Sequence, residues 1–172
     1  MTVLCDWEIA ALCQTVKMVD PFRKDLINPA SIDLLLGNEI MCECENTARL
    51  QRLDISEFTR EQPYLLGPGA FVLAQTQEVF NLPDDISAQF ALKSSRAREG
   101  FTHALAGWCD PGWSGSVLTL ELMNARRWWP LGLYPGLKIG QMIFHRMSST
   151  PEKSYAMTGH YNNHLQVMDS VA

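Results

Sequence analysis

Short segments that favour turns recur along the chain from about residue 30, and their spacing is the strongest constraint on the fold. They are rich in glycine, proline, asparagine or aspartate and lie at residues 37–38, 67–69, 82–85, 111–112 and 135–136. The runs between them resemble strands and include residues 70–75, 88–92, 117–123 and 139–146. Many short strands separated by such turns predict a mainly β fold, either a barrel or a sandwich.

The two ends of the chain differ from the middle. Near the start, Ile9, Leu12, Cys13 and Val16 recur at helical spacing, so residues 1–20 are predicted to form a helical segment. Residues 148–172 are polar with little periodicity, which predicts a mobile C-terminal tail. A chain of 172 residues has the length of one domain, and we predict a single domain over residues 1–172.

Bulk composition argues against several classes of protein. The net charge of −5 argues against a nucleic-acid polymer as partner, because such binders are usually basic. No apolar run reaches membrane-spanning length and no signal-peptide pattern is visible, so we expect a cytoplasmic protein that does not bind membranes. The five cysteines are odd in number and irregularly spaced, which favours reduced thiols over a disulfide framework.

A basic cluster follows the strand-like run 88–92. Lys93 precedes Ser94 and Ser95, and Arg96 and Arg98 follow them. The serine pair is typical of a helix start, where free backbone N–H groups and nearby cations attract phosphate. The same residue types also fit a capped surface helix with solvated arginines, and taken alone they favour that interpretation.

A single carboxylate, Glu121, lies within the apolar run 117–123. Strand alternation places Glu121 on one face and the three leucines of this run on the other. A lone acid in such a strand is seldom needed for packing, and burial would raise its pKa toward the range of a general base. The alternative is that Glu121 faces solvent or pairs with Arg126 or Arg127.

Zinc chemistry is not expected. The zinc-dependent nucleobase deaminases require His-x-Glu followed by Pro-Cys-x-x-Cys, and neither motif occurs in this sequence. Cys109 and His103 are too isolated to indicate a zinc site. Any water activated on this chain would therefore have to be activated without zinc, for which Glu121 is the candidate residue.

An ordered set of motifs resembles the dCTP deaminase branch of the dCTP deaminase/dUTPase superfamily. Residues 29–37 (PASIDLLLG) resemble its early motif, and residues 93–98 (KSSRAR) resemble its Arg-Ser-Ser-x-Ala-Arg. Residues 103–115 (HALAGWCDPGWSG) resemble the segment that ends in Asp-Pro-Gly-x-x-Gly. The further matches are residues 64–69, 82–85 and 134–141. No single motif is decisive, but the ordered set spans nearly the whole chain.

This resemblance implies a distorted β-barrel or jelly roll of the dUTPase-like type that forms homotrimers, with active sites between subunits. By matched position, Glu121 would be the base, and Ser94 and Arg98 would contact the substrate and the catalytic water. Ala106 would offer its backbone to the pyrimidine. Further positions implied to bind substrate are Lys93 at the phosphates, Asp110 near the sugar and the metal-bound phosphates, and Ser95, His103 and Gln141.

The implied reaction is hydrolysis of dCTP to dUTP and ammonia, with Mg²⁺ bound to the triphosphate rather than acting in deamination. The ligands would be nucleotides of the dCTP, dUTP and dTTP type. We also expect the tail from about Ser148 to order over bound nucleotide, where Tyr155, Tyr161 and His164 could stack or hydrogen-bond. The alternatives are a dUTP diphosphatase, a bifunctional deaminase and diphosphatase, or a non-catalytic nucleotide-binding trimer.

Three positions depart from the family pattern. Glu121 follows Asp110 by eleven residues, one more than is usual, and one extra residue turns a strand's side chains to the opposite face unless a bulge absorbs it. We expect that bulge at residues 116–117. Leu105 replaces the usual threonine, and residues 160–164 (HYNNH) replace a closing motif that begins with lysine.

Overall fold

The computed structural model describes residues 2–170. Its helices are short: α1 (Asp6–Val16), α2 (Ser94–Glu99) and α3 (Tyr155–Thr158), with a turn of 3-10 helix at Lys24–Leu26. Its strands are β1 (Thr2–Val3), β2 (Val19–Asp20), β3 (Ile27–Asn28), β4 (Ser31–Cys44), β5 (Thr47–Asp54), β6 (Tyr64–Leu66), β7 (Phe71–Asn81), β8 (Ile86–Leu92), β9 (Phe101–His103), β10 (Trp108–Cys109), β11 (Ser114–Asn124), β12 (Leu131–Leu133) and β13 (Lys138–Arg146). The mainly β fold that the spacing of turns predicts is confirmed.

Most of these strands form one antiparallel sheet that curls into a half-barrel. The strand order is β10-β8-β13-β4-β7-β11-β9, with β1, β2, β3 and β5 paired at its margins. Strands β6 and β12 form a separate pair. The curl depends on β4, because its first part pairs with β13 and its later part pairs with β7 and β5.

The turn predicted at residues 37–38 is wrong, because β4 continues through it. The register between β4 and β7 shifts between Leu36 and Ile40, so the strand bends without ending. Gly37 suits this bend, since a Cβ there would lie 2.7 Å from Gln75 Cγ. A glycine inside a strand often marks such a close approach.

The N-terminal segment is helical at its centre, where α1 lies between β1 and β2. Ile9 and Cys13 are buried in the core, whereas Val16 is half exposed. The carboxylate of Glu8 accepts a hydrogen bond from the backbone N–H of Cys5 at 3.2 Å. This bond satisfies a donor at the helix start that would otherwise lack a partner.

Strand β11 separates the main core from a second face that bears the candidate site. Its three leucines are buried in the main core beside Val72 and Ala74 of β7. Thr119, Glu121 and Met123 alternate with those leucines, point to the opposite face and are less buried. The side chains of this second face are therefore the ones that a small molecule can contact.

The C-terminal segment, residues 148–170, lies across this second face. The carbonyl of His164 accepts the backbone N–H of Val117 at 2.9 Å, and Thr119 Oγ1 accepts the backbone N–H of Met168 at 3.2 Å. Val167 is fully buried in a small hydrophobic cluster on this side of the sheet. The structure therefore shows the tail seated on the barrel, and its mobility stays a prediction.

All five cysteines are free thiols. Among residues 2–170, none of the helices has the length and apolar character that crossing a membrane requires.

Candidate active site

A cavity of about 500 Å³ lies between the second face of the sheet and the C-terminal segment. Its apolar wall includes Phe71, Leu73 and Trp113, and its acidic groups are Asp110, Glu121 and Asp169. A mostly apolar cleft with a few convergent polar groups is typical of sites for small organic ligands.

Glu121 projects into the cavity from β11, directly across from Leu73 on β7. Burial raises the pKa of its carboxyl above the usual range. The ion pairs among residues 2–170 do not include Glu121. The alternative that Glu121 pairs with Arg126 or Arg127 is therefore wrong, and the acid is a weak one in a confined space, which suits a proton-accepting role.

A bulge in β11 sets the direction of Glu121. Ser114 and Ser116 pair with the consecutive residues Asn81 and Phe80, so Gly115 is the extra residue. Gly115 has a φ of 70°, and a Cβ there would lie 2.4 Å from Asn163 Oδ1. The predicted bulge is confirmed at Gly115, beside residues 116–117, where the positive φ and the close approach of Asn163 favour glycine. A second register shift against β7 follows between Val117 and Thr119.

Asp110 lines the same cavity from the turn that follows β10. Its Oδ1 accepts a hydrogen bond from the indole Nε1–H of Trp108 at 3.0 Å, and its backbone carbonyl accepts the N–H of Trp113 at 3.2 Å. Burial, together with the nearby carboxylates of Asp110 and Glu121, raises the pKa of the Cys109 thiol to about 12. Both carboxylates therefore lie within electrostatic reach of one buried thiol.

The C-terminal segment supplies three of the predicted ligand-binding residues to this cavity, and Ala106 lines it as well. Tyr155, Tyr161 and His164 line the cavity, with the rings of Tyr161 and His164 6.4 Å apart. The carbonyl of Tyr161 accepts the Trp113 indole N–H at 2.9 Å. The tail is thus fixed to the barrel at the point where its aromatic side chains meet the site.

The basic cluster lies elsewhere in the same chain. Lys93, Ser94, Ser95 and Arg98 are absent from the cavity lining, although the sequence analysis groups them with Glu121. Ser94 begins α2, and Ser94, Ser95 and Arg98 are exposed to solvent. A single chain therefore does not bring the predicted base and the predicted water-holding residues together.

Lys93 and Gln141 belong to a separate polar group around Asp33, which we call the Asp33 cluster; it comprises Asn28, Ser31, Asp33, Lys93, Lys138 and Gln141. Asp33 is 4% exposed and forms ion pairs with both lysines. Ser31 Oγ donates to Gln141 Oε1 at 3.1 Å. Lys93 and Gln141, both predicted to bind substrate, thus belong to one polar cluster.

His103 also lies outside the cavity lining. Its Nδ1 accepts the backbone N–H of Leu105 at 3.2 Å, and its ring meets Phe90 edge-on at 5.2 Å. Burial lowers the pKa of this imidazole, so the neutral form is favoured. This bond restrains the loop that carries Leu105, a residue with a φ of 64° and a side chain that is 86% exposed.

Trp108 lines the cavity and hydrogen-bonds to Asp110, and it was not among the predicted site residues. The signal was available, because residues two apart in an extended segment face the same side, and Trp108 precedes Asp110 by two.

Within residues 2–170, His, Cys, Asp and Glu side chains do not gather in any group of three or more that could hold a metal ion. The carboxylates in the cavity lining are those of Asp110, Glu121 and Asp169. Carboxylate and phosphate oxygens together form the ligand set that Mg²⁺ prefers.

Comparison with known proteins places this arrangement in context. A family model described as dCTP deaminase-like matches residues 3–147. A protein named dCTP deaminase, dUMP-forming, from Leifsonia xyli is 40% identical over 159 residues, which cover 86% of this chain and 77% of that protein. A protein of the same name from Pseudarthrobacter chlorophenolicus is 37% identical over 174 residues, covering 95% and 90% of the two chains.

A solved structure supports the fold. The crystal structure of 2'-deoxycytidine 5'-triphosphate deaminase from Agrobacterium tumefaciens matches with a TM-score of 0.67 and 24% sequence identity. The match covers 84% of this chain and 48% of that one, so the present chain spans about half of its length. At this identity the likeness concerns the fold alone.

Proposed function

Because this chain belongs to the dCTP deaminase-like family, we propose that it hydrolyses the amino group of dCTP, with Glu121 as the general base. The observation that carries the proposal is the half-buried Glu121 carboxyl, whose pKa is raised, inside a cavity with an apolar wall. The pyrimidine ring would pack against that wall, where the backbone of Ala106 is within the lining.

The chemistry requires one carboxylate to act twice. Glu121 accepts a proton from water while the water oxygen bonds to C4 of cytosine. The same carboxyl then returns the proton to the amino group as the C4–N bond breaks, and ammonia leaves. Burial favours both proton transfers, because a carboxylate with a raised pKa holds the proton more readily between them.

Ser94 and Arg98 are proposed to reach the reacting water from a neighbouring copy of the chain. In one chain these residues are exposed and lie outside the cavity that holds Glu121. A homotrimer with sites between subunits would place the basic cluster of one copy beside the cavity of another. Such charged donors would stabilise negative charge that develops on the attacked ring.

The product is proposed to be dUMP rather than the dUTP expected from the sequence. Both curated relatives described above carry the name dUMP-forming. Forming dUMP from dCTP consumes two molecules of water and releases ammonia and pyrophosphate, so a second hydrolysis must follow deamination. Asp110 is the carboxylate proposed for that step, since it lies on a fixed turn in the same cavity as Glu121.

The triphosphate is proposed to bind as its Mg²⁺ complex, so that the metal ion is part of the substrate. The lysines of the Asp33 cluster would face the phosphates from a neighbouring copy. The five free thiols support a reducing compartment such as the cytoplasm.

Product analysis tests the proposal. Purified protein is incubated with dCTP and Mg²⁺, and ammonia, pyrophosphate and nucleotides are each quantified. Equal amounts of ammonia, pyrophosphate and dUMP are expected. Ammonia with dUTP alone would restrict the function to deamination, pyrophosphate only from dUTP would indicate a diphosphatase, and binding without turnover would favour the non-catalytic alternative.

A further inference from the structure

The Trp108 side chain connects the candidate site to a buried histidine. Its indole N–H donates to Asp110 Oδ1 at 3.0 Å, and its ring stacks on His145 with centroids 5.9 Å apart and planes inclined by 22°. His145 is 8% exposed, whereas Trp108 is 51% exposed at the rim of the cavity. A rigid strand residue therefore supports the ring that holds Asp110.

This support matters because Asp110 is otherwise an exposed side chain on a turn. A free aspartate samples several rotamers, and fixing one of them costs conformational entropy. The indole bond selects one orientation and uses only Oδ1, so Oδ2 stays available. Among the hydrogen bonds of residues 2–170, the Trp108 bond is the one made by a side chain to the Asp110 carboxylate.

We propose that Trp108 is a positioning residue for the phosphate-cleaving half of the reaction and leaves deamination to Glu121. The inference rests on the proposed function. In this step a water oxygen bonds to the α-phosphorus of dUTP, the bond from that phosphorus to the bridging oxygen of the β-phosphate breaks, and pyrophosphate leaves. Asp110 orients the water and accepts its proton, and Trp108 holds Asp110 for this role.

Deamination and phosphate cleavage can be tested separately, because they are proposed to use different carboxylates. Glu121 lies on β11 and Asp110 on the turn before it, and the indole bond reaches only the second of these. Removing the indole N–H should therefore change the distribution of products. A merely structural role for Trp108 would lower both activities together.

Trp108→Phe is the test, because phenylalanine keeps an aromatic ring over His145 and lacks the N–H donor. Release of pyrophosphate should fall about tenfold, the scale of losing one hydrogen bond to a charged group, while release of ammonia changes less than about twofold. The variant should accumulate dUTP from dCTP and should also be slow when dUTP is supplied directly. Trp129→Phe, at a tryptophan that is 65% exposed and outside the cavity lining, is the matched control.

The possible outcomes distinguish a failure of the Trp108 role from a failure of the proposed formation of dUMP. If the wild-type protein forms dUMP and Trp108→Phe keeps the same ratio of pyrophosphate to ammonia, the positioning role is overturned and the proposed function stands. Equal losses of both products, at an unchanged KM, would also overturn it. If the wild-type protein releases no pyrophosphate, the proposed cleavage of dUTP to dUMP is wrong, and the positioning role of Trp108 is wrong as well.

Discussion

The Nζ atom of Lys93 lies 2.5 Å from Oδ1 of Asp33, and Nζ of Lys138 lies 3.2 Å from Oδ2 of the same carboxylate. Burial alone would raise the pKa of Asp33, but hydrogen bonds from Lys93, Asn28 and Lys138 outweigh it and lower that pKa. One buried acid thus fixes two cations beside the start of α2. The ion pair with Asp33 fixes the position of the Lys93 ammonium group, and so the side from which that group can contact a phosphate.

Asp33→Asn should therefore weaken both the fold and nucleotide binding. We expect a loss of about 1–3 kcal/mol in the free energy of unfolding at pH 7, because two partly exposed lysines lose their partner. The pKa of Asp33 is lowered on folding, so its contribution is present above its unfolded value of 3.8 and is lost as the pH falls below it. Urea denaturation at pH 7 and pH 3 should show the difference between variant and wild type shrinking at the lower pH. Asp25→Asn, which removes an exposed pair with Arg23, should have a smaller effect.

Glu121→Gln should bind nucleotide but fail to deaminate it. Glutamine keeps the size of the side chain and lacks the proton-accepting carboxylate, so ammonia release should fall about a hundredfold or more. Steady-state ammonia assays and equilibrium dCTP binding check the two halves of this expectation. Glu43→Gln, at an exposed acid of β4, should behave as wild type. Wild-type turnover by Glu121→Gln would refute the assignment of the base.

Two inactive variants should restore activity when their subunits are mixed. If the site takes Glu121 from one copy and Arg98 from another, a trimer of Glu121→Gln and Arg98→Ala chains contains some sites with both native residues. Random mixing in equal amounts should restore about a quarter of wild-type ammonia release. Co-refolded mixtures with no more activity than either variant would contradict a shared site, as would light scattering that shows only monomer.

Bound nucleotide should protect the C-terminal segment from proteolysis. Lys153 is exposed and is the sole lysine or arginine in residues 148–172, so trypsin reports on this segment at one bond. Adding dCTP to Glu121→Gln, which prevents turnover, should slow cleavage after Lys153, because Tyr161 and His164 would hold the ligand. Cleavage after the exposed Arg60 should not change. Mass spectrometry of timed digests measures both rates.

Glu78 should make the protein less stable at alkaline pH. Burial raises its pKa from 4.5 to about 7, and both of its carboxylate oxygens lie 3.2 Å from the backbone N of Leu35. The associated stability is present below pH 4.5 and is lost as the pH rises through about 7, a change of about 3 kcal/mol. Glu78→Gln removes this titration, so urea denaturation at pH 5 and pH 8 should show the variant gaining on wild type at pH 8. A pH-independent difference would show that Glu78 does not titrate in this range.

Local patterns in the sequence predict the local structure well. The runs 117–123 and 139–146 fall inside β11 and β13, and the alternation around Glu121 gives the correct face. The need for a bulge before Glu121 follows from the family resemblance, because the usual spacing from Asp110 is one residue shorter. These features depend on neighbours in sequence, where backbone sterics and side-chain alternation dominate.

Contacts between distant residues could not be predicted in the same way. Lys93 and Asp33 are 60 residues apart, and Trp113 bonds to Tyr161 across 48 residues. Alternation of period two does not show which strands pair with each other. The sequence therefore predicts that Lys93 and Glu121 share one site, whereas in a single chain Lys93 lies outside the cavity that holds Glu121. Gly37 predicts a turn and instead lies in a bend of β4, because glycine permits both and the approach of Gln75 is a contact between distant residues.

The bulge at Gly115 and a second register shift between Val117 and Thr119 separate the last stretch of β11 from the residues before it. From Thr119 to Met123 the register with β7 is unbroken, whatever the number of residues before it. Relatives can therefore differ in length between Asp110 and Thr119 and still aim the acid into the cavity. A residue inserted between Thr119 and Glu121 would not be absorbed by a bulge. It would turn the acid toward the core and a core leucine toward the cavity. Length variation in this strand should be confined to the stretch that precedes Thr119.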